Sequence, residues 1–267
     1  MYVQTLIDRM PDIGKKFEYL LNTGNLLSRS GLDLQQASGF TVVAERLNFF
    51  RYLSHFRSVH RGAYFAEIRT TTVRKLLPES FGFMCPVHTP DGAPCGLLNH
   101  FTADCKVVRF TDDHETMRRS TAEVLEALGV VPHDQMPFAP SLREYIPVVL
   151  DGRPLGHLLA ARAPAVVAEL RRLKALALRW QQAAQVTPDM EEPRVPWHLE
   201  AAYIPYAQGG PYPGIYLFSE GARMVRPVHQ LPSRDLEYIG TLEQQFMDIR
   251  LPDGGIGGSA GLRFTHE

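Results

Sequence analysis

Apolar residues recur at helical spacing near the start of the chain. Val3, Leu6, Ile7, Met10, Ile13, Phe17, Leu20 and Leu21 share one stripe. The pattern predicts a helix over residues 2–21, kinked or split at Pro11 and stopped at Asn22-Thr23-Gly24, where glycine takes the left-handed cap conformation. A second helix is expected over 42–57, capped by Thr41, with Val43, Leu47, Phe50 and Leu53 as its apolar face. Residues 60–99 follow neither the helical nor the strand period. They are dense in Gly, Pro, Thr and aromatics, as functional surface loops are.

From Phe101 the texture changes. Strands are expected over 101–110, 145–150, 155–159, 199–206 and 238–249, with a hairpin turn at Asp151-Gly152. A further hairpin is expected over 214–228, turning at Ser219-Glu220-Gly221. Helices are expected over 116–128, ended by Gly129, and over 165–185, with Val166, Leu170, Leu173, Ala177 and Trp180 on one face. The class is α+β: helices first, then loops, then a mixed, β-rich part from about residue 101. The last stretch, 251–267, holds five glycines and no core of its own.

Composition narrows the reading. A hydrophobic share of 45% over 267 residues suits a folded chain with a core. No apolar run reaches the roughly 20 residues of a membrane helix, so no membrane partner is expected. Cys85, Cys95 and Cys105 are too few for a disulfide framework, and their spacing of ten matches no zinc pattern. Cys105 sits in an alternating segment and reads as core. No metal ligand is assigned in this chain.

The net charge of -1 argues against nucleic acid until it is divided. Between Arg46 and Lys75 stand Arg46, Arg51, Arg57, Arg61, Arg69, Arg74 and Lys75, against one acid, Glu67. That window carries +6, so the remainder carries -7. Aromatic residues are interleaved with it: Phe49, Phe50, Tyr52, Phe56, Tyr64 and Phe65. Arginines offer paired donors to phosphate and aromatics offer faces to bases, the combination that guides a nucleic-acid strand.

The window feeds the segment Phe81-Gly82-Phe83-Met84-Cys85-Pro86-Val87-His88-Thr89-Pro90-Asp91-Gly92-Ala93-Pro94-Cys95-Gly96-Leu97-Leu98-Asn99. Its prolines and glycines force a rigid, irregular path. Asp91 is its single carboxylate, presented at a Pro-Asp-Gly turn. The run of Gly82, Cys85-Pro86, Thr89-Pro90-Asp91-Gly92 and Gly96-Leu97-Leu98-Asn99 resembles the fork region of the second-largest, β-like subunit of multisubunit DNA-directed RNA polymerases. Thr23-Gly24-Asn25, Gly31 to Gln36, Ser54-His55-Phe56-Arg57, Val59-His60-Arg61-Gly62 and Thr70 to Ser80 resemble the eukaryotic RNA polymerase I form. His88 and Asp91 stand where the broader family has glutamate, so no role passes to His88, which reads as a brace of the loop.

The resemblance implies an organisation. Residues 1–40 would end a protrusion or lobe segment, 41–100 would be the fork, and 101–250 the external domains, before the Gly-rich tail at 251–267. The chain would be a fragment of a larger subunit. Arg57, Arg61 and Arg74, assisted by Lys75, would lie along DNA or RNA phosphates, and Asp91 near the nucleotide-addition site. Nucleotidyl transfer would belong to the whole complex, with Mg2+ held mainly by the largest subunit. Expected partners are the largest and smaller polymerase subunits, template DNA, nascent RNA and nucleoside triphosphates, in the nucleus and nucleolus. Other readings are a stand-alone nucleic-acid-binding or subunit-interaction module, and a cysteine hydrolase built on Cys85 with His88 or His100. Direct succession by Pro86 and the lack of a nucleophile motif count against the last.

Overall fold

The computed structural model describes residues 12–26, 36–111, 113–136, 141, 143–183, 192–206, 212–231 and 233–250. The expectations for residues 2–11, Pro11, Gly31 to Gln35, 184–185 and 251–267 lie outside them. The chain divides into two compact units: residues 1–76 with 85–101, and 77–84 with 102–267. The chain therefore changes unit within the Pro/Gly-rich segment, between Met84 and Cys85.

The first unit has little regular structure. Helix α1, Ile13–Thr23, starts where the Asp12 carboxylate accepts the Gly14 amide (2.9 Å). It stops at Gly24, which has a φ of 70° and an amide bonded to the Leu20 carbonyl, as expected of this glycine. Helix α2 covers only Phe49–Phe56 rather than 42–57. Asn48 supplies the physical reason: its side chain accepts the Arg51 amide (2.7 Å) and caps the helix there, so Thr41 caps nothing. Of the expected apolar face, Val43, Leu47 and Phe50 are about four-fifths exposed, and Leu53 is 41% exposed. Strand β1, Ser58–His60, pairs antiparallel with β2, Leu98–His100. A one-turn helix, α3, covers Ala63–Glu67, and a 3-10 turn covers Thr72–Arg74.

The second unit encloses the core. Its larger sheet has the order β4–β6–β5–β8–β7, made of Val131–Pro132, Arg153–Leu159, Tyr145–Leu150, Gly214–Phe218 and Glu200–Ile204. All neighbours are antiparallel except β5 and β8. The β5–β6 hairpin turns at Asp151 and Gly152, with φ of 48° and 76°, as the Asp-Gly signal predicts. Alternate residues of β5, Ile146, Val148 and Leu150, point inward. They meet Leu125 of helix α4, His114–Ala127, and Leu170 of helix α5, Ala163–Gln182.

Three expectations fail in this unit: the strand expected over 101–110 is reduced to the two residues Lys106–Val107, and two more differ in pairing or length. The predicted hairpin over 214–228 is not one. Strand β8 joins the large sheet, while β9, Met224–His229, joins a second sheet with β10, Leu236–Gly240, and the two-residue strand β3, Lys106–Val107. A turn signal fixes where the chain bends, not which strands then pair. The expected strand over 238–249 ends at Gly240, and Thr241–Gln245 form helix α6. Glu200 explains the break, because its carboxylate accepts the Leu242 and Glu243 amides (2.7 and 3.0 Å) and caps the helix from another strand. It also fills the space a side chain at Gly240 would need. Cys105 is buried, as expected.

Charges are buried here too. Lys174 of α5 is wholly enclosed, with Glu243 at 2.7 Å and Glu237 at 3.4 Å, and Arg171 pairs with Glu237. Burial alone would raise both acids. At Glu237 the charges of Lys174 and Arg171 outweigh it and hold the carboxyl low, whereas at Glu243 burial prevails and the carboxyl is raised. The sequence reading missed this network. Its signal was Lys174 four residues after Leu170, on the apolar stripe of the helix.

Candidate nucleic-acid interface

The basic window and the loop bearing Asp91 both belong to the first unit. The β1–β2 pair ties the two ends of this loop region together. Beside it the Arg61 amide bonds the Leu97 carbonyl and the Phe101 amide bonds the Arg57 carbonyl, both at 2.9 Å. Arg57 closes helix α2 as its C-terminal cap and Arg61 follows β1, so neighbouring backbone fixes both positions.

Between residues 85 and 100 the chain is braced by bonds of its own backbone and by side chains that hold backbone groups. Thr89 hydroxyl donates to the Leu98 carbonyl (2.9 Å) and accepts the Gly96 amide (3.0 Å). The Cys95 amide bonds the Gly92 carbonyl (3.1 Å), closing a turn over residues 92–95, and Gly92 takes a φ of 82°, where the chain passes from Asp91 into it. Asp91, which directly precedes this turn, and Gly92, which opens it, are both exposed. His88 lies flat on His100, with centroids 3.6 Å apart and planes 5° from parallel. The His88 carbonyl stands 3.1 Å from His100 Nδ1, and its amide donates to the Cys85 sulfur (3.3 Å). His88 thus braces the loop, as expected. Burial lowers the His100 pKa, and the partner carbonyl opposes that shift. Cys85 receives a backbone amide, and His100 Nδ1 faces a carbonyl. Neither arrangement forms a nucleophile–base pair, so the hydrolase reading has no geometry behind it.

The cations divide into two groups. Arg46 lies over the Tyr52 ring at 4.5 Å and bonds its hydroxyl (3.1 Å), and Arg51 pairs with Glu45 at 2.8 Å. Arg74 donates from Nη1 to the carbonyls of Ala93 and Cys95, at 2.6 and 2.7 Å. Arg61, Arg69 and Lys75 take part in no ion pair among the described residues. Phe49, Phe50 and Phe56 of the same unit are largely exposed, with Phe49 edge-on to Phe50 at 5.7 Å. This unit offers cations for phosphate, aromatic faces for bases and one exposed carboxylate.

The sequence reading treated residues 81–99 as one segment that presents Asp91. It missed that residues 77–84 belong to the other unit. There Phe83 is fully buried, and Thr102 holds the Gly82 carbonyl by its hydroxyl (2.7 Å) and the Phe83 carbonyl by its amide (3.0 Å). Gln244 reaches the Phe81 and Glu79 carbonyls (2.9 and 3.3 Å), oriented by Arg226 at 2.6 Å. No local pattern marks Gln244, because its partners lie some 160 residues away.

Asp91 has no second acid beside it in the loop, so it makes no metal site of its own. Among the described residues, His114, Asp151 and Glu220 alone bring three metal-ligating atoms within 4.8 Å of one another, in the second unit. Asp151 already accepts the Ser219 amide and hydroxyl (2.7 and 2.6 Å) and the Glu220 amide (3.3 Å), and Arg223 sits on the Glu220 carbonyl (2.7 Å). With that cation adjacent, the set is a brace between two turns. No helix among the described residues is long and apolar enough to cross a membrane.

Comparison with known proteins bears on this unit and on the other. Residues 42–107 match the family model "RNA polymerase Rpb2, domain 3", and residues 155–226 match "RNA polymerase I, Rpa2 specific domain". The chain is 48% identical to DNA-directed RNA polymerase I subunit 2 of Arabidopsis thaliana, over 99% of this chain and 22% of the relative. It is 50% identical to the probable RNA polymerase I subunit RPA2 of Schizosaccharomyces pombe, over 89% of this chain and 19% of the relative. The human RNA polymerase I subunit RPA2 is 49% identical, over 90% of this chain and 20% of the relative. The chain therefore spans about a fifth of the length of the curated relatives it matches.

Proposed function

Because the chain belongs to the family of second subunits of DNA-directed RNA polymerase I, we propose that it serves as the fork and external portion of such a subunit. It lines the active-centre cleft of a nucleotidyltransferase that makes ribosomal RNA in the nucleolus. Residues 1–40 end the protrusion or lobe, 41–100 form the fork and 101–250 the external domains. Arg57, Arg61 and Lys75 face strand phosphates, with Arg74 at the same basic edge. Asp91 stands near the incoming nucleoside triphosphate. The largest subunit, the smaller subunits, template DNA and nascent RNA are its partners.

One observation carries the reading: Asp91 is presented outward on a turn braced on both sides, within a unit whose arginines and exposed rings suit a nucleic-acid strand. Phosphoryl transfer needs cations on phosphates and a carboxylate on the metal or its water. Among the described residues Asp91 stands without a second carboxylate in its loop, so we assign the ion and the bond-making to the rest of the complex. What this chain supplies is position: a fixed carboxylate and a basic edge.

The test is nucleotide addition by reconstituted RNA polymerase I. Asp91→Ala is expected to slow it by about tenfold, the loss of one interaction worth roughly 1.4 kcal/mol. Arg61→Ala is expected to weaken template binding and make its salt dependence shallower by about one unit. Wild-type rates and salt dependence in both variants would sink the proposal.

A further inference from the structure

Arg74 turns into its own loop. It ends the 3-10 turn Thr72–Arg74, whose geometry is set by the Arg74 amide on the Thr71 carbonyl (3.0 Å) and the Lys75 amide on the Thr72 carbonyl (3.3 Å). One guanidinium nitrogen, Nη1, carries two hydrogens. The carbonyls of Ala93 and Cys95 lie 2.6 and 2.7 Å from it, one for each hydrogen. These carbonyls follow Asp91 by two and four residues, so the clamp closes on the turn that presents the carboxylate.

The other side of the junction is equally close. Gly96, at a φ of 76°, brings the chain so near Arg74 that a Cβ there would collide with the Arg74 carbonyl. Hydrogen bonds from a charged donor are about twice as strong as neutral ones, and a pair of them fixes direction as well as distance. Asp91 is exposed and lies between Pro90 and Gly92, so the backbone that carries it sets where its side chain leaves the loop.

We infer that Arg74 is a positioning residue. Its guanidinium holds the 93–95 backbone so that the turn at Asp91 keeps one orientation, and its effect on nucleotide addition runs through Asp91. This rests on the reading of Asp91 given above. An arginine that served only as a phosphate contact would have no reason to commit both hydrogens of one nitrogen to carbonyls of its own loop.

The experiment uses the complete polymerase carrying Arg74→Ala, Asp91→Ala, both together, or Gly96→Ala. Arg74→Ala is expected to lower kcat/KM for the incoming nucleotide by about tenfold. The double variant should be no worse than Asp91→Ala, because the first residue acts through the second. The salt dependence of template binding should keep its wild-type slope, and the amides of Cys95, Gly96 and Leu97 should exchange faster in Arg74→Ala. Gly96→Ala alters no charge and should lower kcat/KM similarly. It serves if Arg74→Ala does not assemble. Losses that multiply in the double variant, or a salt slope shallower by about one unit in Arg74→Ala, would overturn the inference while leaving Asp91 in place. Wild-type addition by Asp91→Ala would instead remove the reading on which it rests.

Discussion

In the second unit the large apolar side chains turn inward. Ile146, Val148, Leu158, Leu170, Ile215 and Leu217 are all essentially sealed from solvent, and even Lys174 is wholly enclosed. In the first unit the same residue types turn outward: Phe17, Val43, Leu47, Phe49, Phe50 and Phe56 are mostly exposed, and Leu97 is its one buried large apolar side chain among the described residues. The first unit is held by caps, turns and side-chain clamps on backbone carbonyls. The second is held by burial and enclosed ion pairs. Hydrogen bonds of the first kind contribute about 1 kcal/mol each, against 1.5–3 kcal/mol for each buried aliphatic side chain. One unit is therefore built to keep its own shape, and the other to present side chains.

Four measurements test this contrast. The largest effect is expected from Lys174→Ala, which leaves Glu237 and Glu243 buried without their shared cation. A loss of roughly 3–5 kcal/mol is expected for the second unit. Both tryptophans, Trp180 and Trp197, lie in that unit, so the fluorescence change on urea unfolding reports it alone. A loss below about 1 kcal/mol would mean that the charges are not enclosed.

Acidification comes next. Burial, with the Arg223 guanidinium adjacent, lowers the His198 pKa to about 4. The folded state thus disfavours the proton that the unfolded chain accepts near pH 6.5. Stability contributed by this histidine is complete above about pH 6.5 and is lost progressively toward pH 4, by roughly 3 kcal/mol in all. His198→Leu should flatten the same fluorescence-monitored stability profile over that range. An unchanged slope would count against burial as the cause.

Smaller effects are expected in the first unit. Asn48→Ala removes the cap of α2 and should cost about 1 kcal/mol locally, read as faster amide exchange at Tyr52 and Leu53. Phe50→Ser should change the stability of the isolated chain by less than about 0.5 kcal/mol, since the ring is exposed. A cost several times larger would show that the ring is buried after all and that the contrast between the units is false.

Much was legible where the signal is local. Gly24 and Gly129 end helices because both take positive φ, and Asp151-Gly152 turns the β5–β6 hairpin for the same reason. The face of α5 follows from its 3.6-residue period. The rigid path around Asp91 follows from its prolines and glycines. Where two local choices competed, the pattern misled. Residues 42–48 carry helical periodicity, yet Asn48 caps the helix at Phe49, and Val43 and Leu47 lie exposed.

The class of the fold, the position of its turns, the basic window and the loop with its single acid can all be read from the amino-acid order, because each depends on residues within a few positions of one another. Only the tertiary structure decided which strands pair, that β8 and β9 enter different sheets, and that the loop segment divides at Met84. It alone shows Arg74 committed to the carbonyls of Ala93 and Cys95 and Lys174 enclosed by two acids. The Arg74 and Lys174 contacts join residues 19 to 69 positions apart. Their choice is settled by competition for buried space and for hydrogen bonds, which no local pattern records.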